Sequence, residues 1–115
     1  MNDCYNANPL SMRAALANLA ERAGARRRVA VLGEMAELGA GAEEFHRDVG
    51  RQAAELGVEV IGVGPLARSY GGRAVATAAE AADALAELLQ PGDVVLVKGS
   101  RSVGLEAVAA KLTSH

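Results

Sequence analysis

The chain has 115 residues, enough for one domain over 1–115 that buries a core without disulfide or metal staples. Half the residues are apolar, yet the aromatics amount to two tyrosines and one phenylalanine, so the core rests on Ala, Val and Leu. A formal net charge of −2 gives no general attraction to nucleic acid or an anionic membrane, and a single cysteine excludes an internal disulfide.

The chain opens on Asp3-Cys4-Tyr5-Asn6-Ala7-Asn8-Pro9-Leu10-Ser11-Met12. Asn8 can cap a helix, and Pro9 suits its first position, where a missing N–H costs nothing. That accounts for Asn8-Pro9 but not for Asp3, Tyr5 and Asn6 just before it. Polar groups gathered at a helix N-terminus beside a strand end are where open α/β sheets bind ligands. Met1-Asn2 leaves no room for the strand that would deliver this loop, so a truncated first strand and an exposed sheet edge are expected.

Met12, Ala15, Leu16 and Leu19 then repeat at helical spacing up to Gly24. Arg26-Arg27-Arg28 reads as a solvated helix–strand joint. Val29-Ala30-Val31-Leu32 is an unbroken apolar run, as in a strand covered on both faces. Gly33-Glu34-Met35-Ala36-Glu37-Leu38-Gly39 is a loop. Phe45, Val49, Ala53 and Leu56 mark a second helix face, with His46 beside it as a polar packing residue rather than a catalyst. Val58–Val63 is a second buried strand, and Pro65–Tyr70 a short helix. A weak strand follows near Ala74-Val75, then a helix with Ala81, Leu85, Leu88 and Leu89 on one face. Pro91-Gly92 stops it before the strand Val94–Val97, and Leu105, Val108 and Leu112 give a last helix.

Strands alternating with helices through short Gly and Pro turns predict an α/β fold: a Rossmann-like, doubly wound, mainly parallel sheet with helices on both faces. Strand C-termini then share one rim, outside which ligands bind. Three segments arrive there: the opening loop, Gly33–Gly39, and Lys98-Gly99-Ser100-Arg101. Two cations and a hydroxyl suit a carboxylate or phosphate. A solvated turn is the plain alternative, and the position after the clearest strand favours the first reading. Glu34 and Glu37 could serve as acid or base, or as partners of the cations. No Cys/His metal spacing, nucleophile elbow, G-x-x-x-x-G-K-[ST] or G-x-G-x-x-G phosphate motif is present. Without a leader or a membrane-length apolar run, the expected compartment is the cytoplasm.

The motifs D-C-Y-N-A-N-P-L-S-M at 3–12, G-E-M-A-E-L-G at 33–39 followed by His46, and K-G-S-R at 98–101 together resemble the C-terminal domain of the Mur ligases. These are ATP-dependent amide ligases of peptidoglycan precursor synthesis. Within the family, the second motif resembles the branch that adds D-Ala-D-Ala to a UDP-N-acetylmuramoyl tripeptide through an acyl phosphate. The resemblance implies that Asp3, Tyr5, Asn6 and Asn8 shape the ribose and adenine edge of ATP. It implies that Gly33, Glu34, Met35, Lys98, Gly99, Ser100 and Arg101 hold the dipeptide. The phosphate loop and magnesium ligands would belong to a central domain on which this one packs as a lid, and recognition of the UDP-sugar to an N-terminal domain. This chain would then carry no catalytic residue and be inactive alone. A rival expectation is a stand-alone flavodoxin-like module that binds a nucleotide or a protein.

Overall fold

The computed structural model describes residues 9–35 and 39–98. In chain order these form α1 (Pro9–Ala23), β1 (Arg28–Gly33), a 3-10 turn (Gly39–Gly41), α2 (Ala42–Glu55), β2 (Val58–Val63) and a 3-10 helix (Pro65–Tyr70). Then come β3 (Arg73–Val75), α3 (Ala78–Leu88) and β4 (Val94–Lys98). The sheet order is β3-β2-β1-β4 and every pairing is parallel. The doubly wound α/β expectation therefore holds. The opening strand and the helix expected near Leu105 lie outside the described residues.

Strand alternation divides the core. Ala30 and Leu32 of β1 face one side, with Met12, Leu16 and Leu19 of α1 and Val49 and Ala53 of α2. Val29 and Val31 face the other, with Ile61 and Val63 of β2 and Ala81 and Leu85 of α3. Such two-sided cover is why β1 is an unbroken apolar run, and its residues from Val29 to Gly33 are all buried.

Two expectations are corrected. The buried face of α2 is His46, Val49, Gly50 and Ala53, while Phe45 is 42% exposed. Val49 and Ala53 are buried as expected, and His46 and Gly50 join them where Phe45 was expected. Gly50 decides it: a Cβ there would overlap the backbone carbonyl of Tyr70, so only glycine permits this approach of α2 to the 3-10 helix. Phe45 instead lies against Gly41 at the start of α2.

The arginine run is more than a solvated joint. Arg27 donates from Nη2 and Nε to Asp93 Oδ2 at 2.6 and 3.1 Å, and from Nη2 to the Leu88 carbonyl at the end of α3. Arg28 donates to the carbonyls of Leu56 and Gly24 at 2.5 and 2.8 Å, and Arg26 to those of Ala23 and Arg22. Helix C-termini leave carbonyls without intrahelical partners, and three successive arginines at the entry to β1 collect them. Asp93 also accepts the Gln90 N–H at 2.9 Å, and the Arg27 carbonyl accepts the Val94 N–H at 3.0 Å. The start of β4 is thus tied to the start of β1.

At the opposite end, α3 begins with a reciprocal cap. Thr77 Oγ1 accepts the Glu80 N–H at 3.2 Å, and Glu80 Oε1 accepts the Thr77 N–H at 3.1 Å.

Two predictions follow from this packing. Gly50→Ala should gain about 1 kcal/mol of helix propensity and lose about 3 kcal/mol to overpacking against backbone, a net destabilisation measurable by urea denaturation. Asp93 is held below the usual carboxylate range by its bond to the Arg27 guanidinium and then by the Gln90 N–H. Its contribution is present above the unfolded-state value of about 3.9 and is lost as pH falls through the lower folded value. Stability measured from pH 5 downward should therefore fall more steeply in the native chain than in Asp93→Asn.

Candidate functional site at the carboxyl rim of the sheet

β1 and β4 end side by side, with Leu32 in register with Lys98, and β1 and β2 end together with Gly33 opposite Val63. The segment after β1 and the first residue of K-G-S-R therefore leave the sheet on one rim. Because α1 and α2 return the chain to the opposite edge, where β1 and β2 begin, their N-termini point back toward this rim. Of the residues expected at the site, Gly33, Glu34, Met35 and Lys98 are brought together. Asp3, Tyr5, Asn6, Asn8, Glu37, Gly99, Ser100 and Arg101 lie outside the described residues.

The path out of β1 is held at each step. Tyr70 of the 3-10 helix donates its hydroxyl to the Gly33 carbonyl at 2.8 Å. The Glu34 N–H donates to the Val63 carbonyl at 3.0 Å, so strand pairing runs one residue past β1. The Met35 N–H donates to His46 Nε2 at 2.8 Å, and His46 Nδ1 lies 2.6 Å from the Ala42 carbonyl. One ring nitrogen accepts and the other donates, which requires the neutral imidazole with its proton on Nδ1. The His46 and Tyr70 rings meet at 5.1 Å between centroids, tilted by 49°. His46 has no exposed surface. The packing role expected of it therefore holds, with a specific backbone partner that its place in the sequence did not reveal.

The Glu34 carboxylate is turned inward. Its Oε2 accepts the Leu66 N–H at 2.9 Å, capping the first turn of the 3-10 helix. Gly64, at φ 105°, makes room, since a Cβ there would lie 2.9 Å from the carboxyl group. Met35 is 1% exposed and packs in the core beneath the rim. Its side chain thus faces away from any ligand, and what this segment can offer is backbone. Lys98 is 3% exposed, placing a cation at the buried end of β4.

Tyr70 was not singled out in the sequence, although its signal was its place just before Gly71-Gly72 at the end of a short helix. Burial raises the Tyr70 phenol well above its ordinary range, and the negative charge of Glu34 adds to this. Hollows occur elsewhere too. One of about 380 Å³ lies beside β2 where β3 stops short, lined by Gly50, Val60, Tyr70 and Gly72 among others. Another, of about 340 Å³, lies at the rim beside Gly64, Pro65 and Arg68. Among the described residues, no cluster of three His, Cys, Asp or Glu side chains could hold a metal ion. No helix there is long and apolar enough to cross a membrane.

The family model of the Mur ligase, glutamate ligase domain, matches residues 1–101 of this chain. The chain belongs to that family. It is 43% identical to a UDP-N-acetylmuramoyl-tripeptide--D-alanyl-D-alanine ligase of Mycobacterium tuberculosis, over 99% of this chain and 28% of that protein. Against the Escherichia coli ligase of the same name the identity is 38%, over 100% of this chain and 27% of that one. A crystal structure of MurF from Acinetobacter baumannii superposes with a TM-score of 0.85 at 36% identity, covering 98% of this chain and 27% of that one. The MurF ligase of Thermotoga maritima, crystallised with ADP, superposes at 0.83 with 29% identity, over 99% and 27%. The chain thus spans about a quarter of the length of these relatives.

Tyr70→Phe should leave the Gly33 carbonyl without its donor and destabilise the domain by about 1–3 kcal/mol in chemical denaturation. Because the folded-state phenol titrates above its unfolded value of about 10, its contribution is full below that pH and is lost as pH rises further. Between pH 9 and 11, stability should decline more in the native chain than in Tyr70→Phe.

Proposed function

We propose that this chain is the lid domain of an ATP-dependent ligase that joins D-Ala-D-Ala to a UDP-N-acetylmuramoyl tripeptide in the cytoplasm. The observation that carries the reading is the register of β1 and β4, which starts the Gly33–Met35 segment and the Lys98–Arg101 segment from adjacent strand ends. A dipeptide is an amine at one end and a carboxylate at the other. A cationic segment beside a backbone-rich one is suited to both ends at once. Arg101 opposes the carboxylate, with a guanidinium fork that matches its two oxygens. Lys98 adds positive charge at the root of the same segment. Gly33, Glu34 and Met35 supply the adjoining backbone surface, and Gly99 and Ser100 belong to the same dipeptide site.

Asp3 accepts hydrogen bonds from the ribose hydroxyls of ATP, and Tyr5, Asn6 and Asn8 shape that edge. The phosphate loop and magnesium ligands belong to a central domain on which this one packs. Magnesium, when bound there, would neutralise phosphate charge. The part played by this domain is orientation. An amine held on a lid is delivered to the activated tripeptide carboxyl when the lid closes, converting an encounter into a near-unimolecular attack. Apart from its central domain, the chain binds both ligands weakly and releases no phosphate.

The test is steady-state kinetics of the full-length ligase. Arg101→Ala should raise the KM for D-Ala-D-Ala by about tenfold or more, the worth of a charge-assisted pair, and change the KM for ATP by less than twofold. An effect confined to ATP would assign the segment to the wrong substrate. Tight nucleotide binding by the isolated chain, indifferent to Asp3→Ala and Arg101→Ala, would favour a stand-alone module.

A further inference from the structure

We propose that His46 and Tyr70 are positioning residues for the dipeptide-binding segment, an inference that rests on the reading of that segment given above. Neither touches the substrate, and each acts by fixing peptide groups that leave β1. The Gly33–Glu34 peptide is held at both ends, its carbonyl by the Tyr70 hydroxyl at 2.8 Å and its N–H by the Val63 carbonyl at 3.0 Å. The next peptide is held through the Met35 N–H by His46 Nε2 at 2.8 Å. No cis peptide bond occurs among the described residues, and in a planar trans peptide the C=O points opposite to the N–H. The Met35 N–H is directed at a fully buried ring, so the Glu34 carbonyl is aimed away from that ring. His46 thereby sets the direction of a backbone acceptor suited to the ammonium or amine end of a dipeptide.

The support behind this arrangement is unusually complete. His46 Nδ1 is engaged by the Ala42 carbonyl one helical turn back, which locks the tautomer and leaves Nε2 as the acceptor. The His46 ring is buttressed by Tyr70 at 5.1 Å. Tyr70 in turn can stand there because Gly50 admits its backbone against α2. Two side chains from two different elements therefore hold Gly33 and Met35, the residues on either side of Glu34. The bond to the Met35 N–H makes this buried histidine a backbone-holding group as well as a packing one.

The experiment compares His46→Leu, His46→Gln and Tyr70→Phe in the full-length ligase, with folding checked by calorimetry and Arg101→Ala assayed alongside. His46→Leu removes the acceptor at similar volume and should raise the KM for D-Ala-D-Ala about tenfold, with the KM for ATP within twofold. His46→Gln restores an acceptor near the Nε2 position and should recover most of that loss. Tyr70→Phe frees the Gly33 carbonyl and should raise the same KM about threefold. If His46→Leu does not fold, the Tyr70→Phe result decides. A folded His46→Leu or Tyr70→Phe with the native dipeptide KM, or with both KM values raised equally, overturns the proposal. A dipeptide effect at Arg101 without one at His46 places the fault in this inference. The converse supports it and places the fault in the role given to Arg101.

Discussion

The contact of Gly50 with the backbone of Tyr70 sets the spacing between α2 and the 3-10 helix. Without a side chain at Gly50, α2 settles against the 3-10 helix closely enough for the His46 and Tyr70 rings to meet. From there both side chains reach the same short stretch of chain leaving β1. Widening this gap by one methyl group would move both donors and acceptors off their partners at once. Interiors are packed too tightly to absorb such a change locally.

The two edges of the sheet are built with different chemistry. At the edge where strands begin, arginines gather helix-end carbonyls and Asp93, so charge there is spent on holding elements together. At the edge where strands end, contacts among the described residues include those of backbone with the Tyr70 hydroxyl, the His46 imidazole and the inward-facing Glu34 carboxylate. The buried cation of Lys98 sits on this second edge. In open α/β sheets the edge where strands end is the one outside which ligands bind.

Membership of the Mur ligase family, with close likeness over about a quarter of the relatives' length, makes sense of a fold that is well built yet carries no phosphate loop. Where it is described, the rim is tied at Gly33, Glu34 and Met35 by Tyr70, Val63 and His46. On the proposed reading, that support serves to orient one reactant for chemistry performed on another. Rigid support matters more for such a task than reactive side chains, since misplacement by an ångström costs far more than loss of a single weak contact.

By itself the sequence determined the alternation of helices and strands, the parallel sheet and the rim shared by the Gly33 and Lys98 segments. These follow from local period and from apolar runs, which report burial without knowledge of partners. The capping box at Thr77 and Glu80 was equally legible in the spacing of the two residues, although it took the structure to draw attention to it. Only the tertiary structure decided that His46 rather than Phe45 turns inward, because both fit a helical stripe and the choice lies in the approach of α2 to Tyr70. It likewise decided that Glu34 caps a distant helix and that Arg27 finds Asp93. Each of these is a contact between residues far apart in the chain, and no local pattern encodes the distance that closes it.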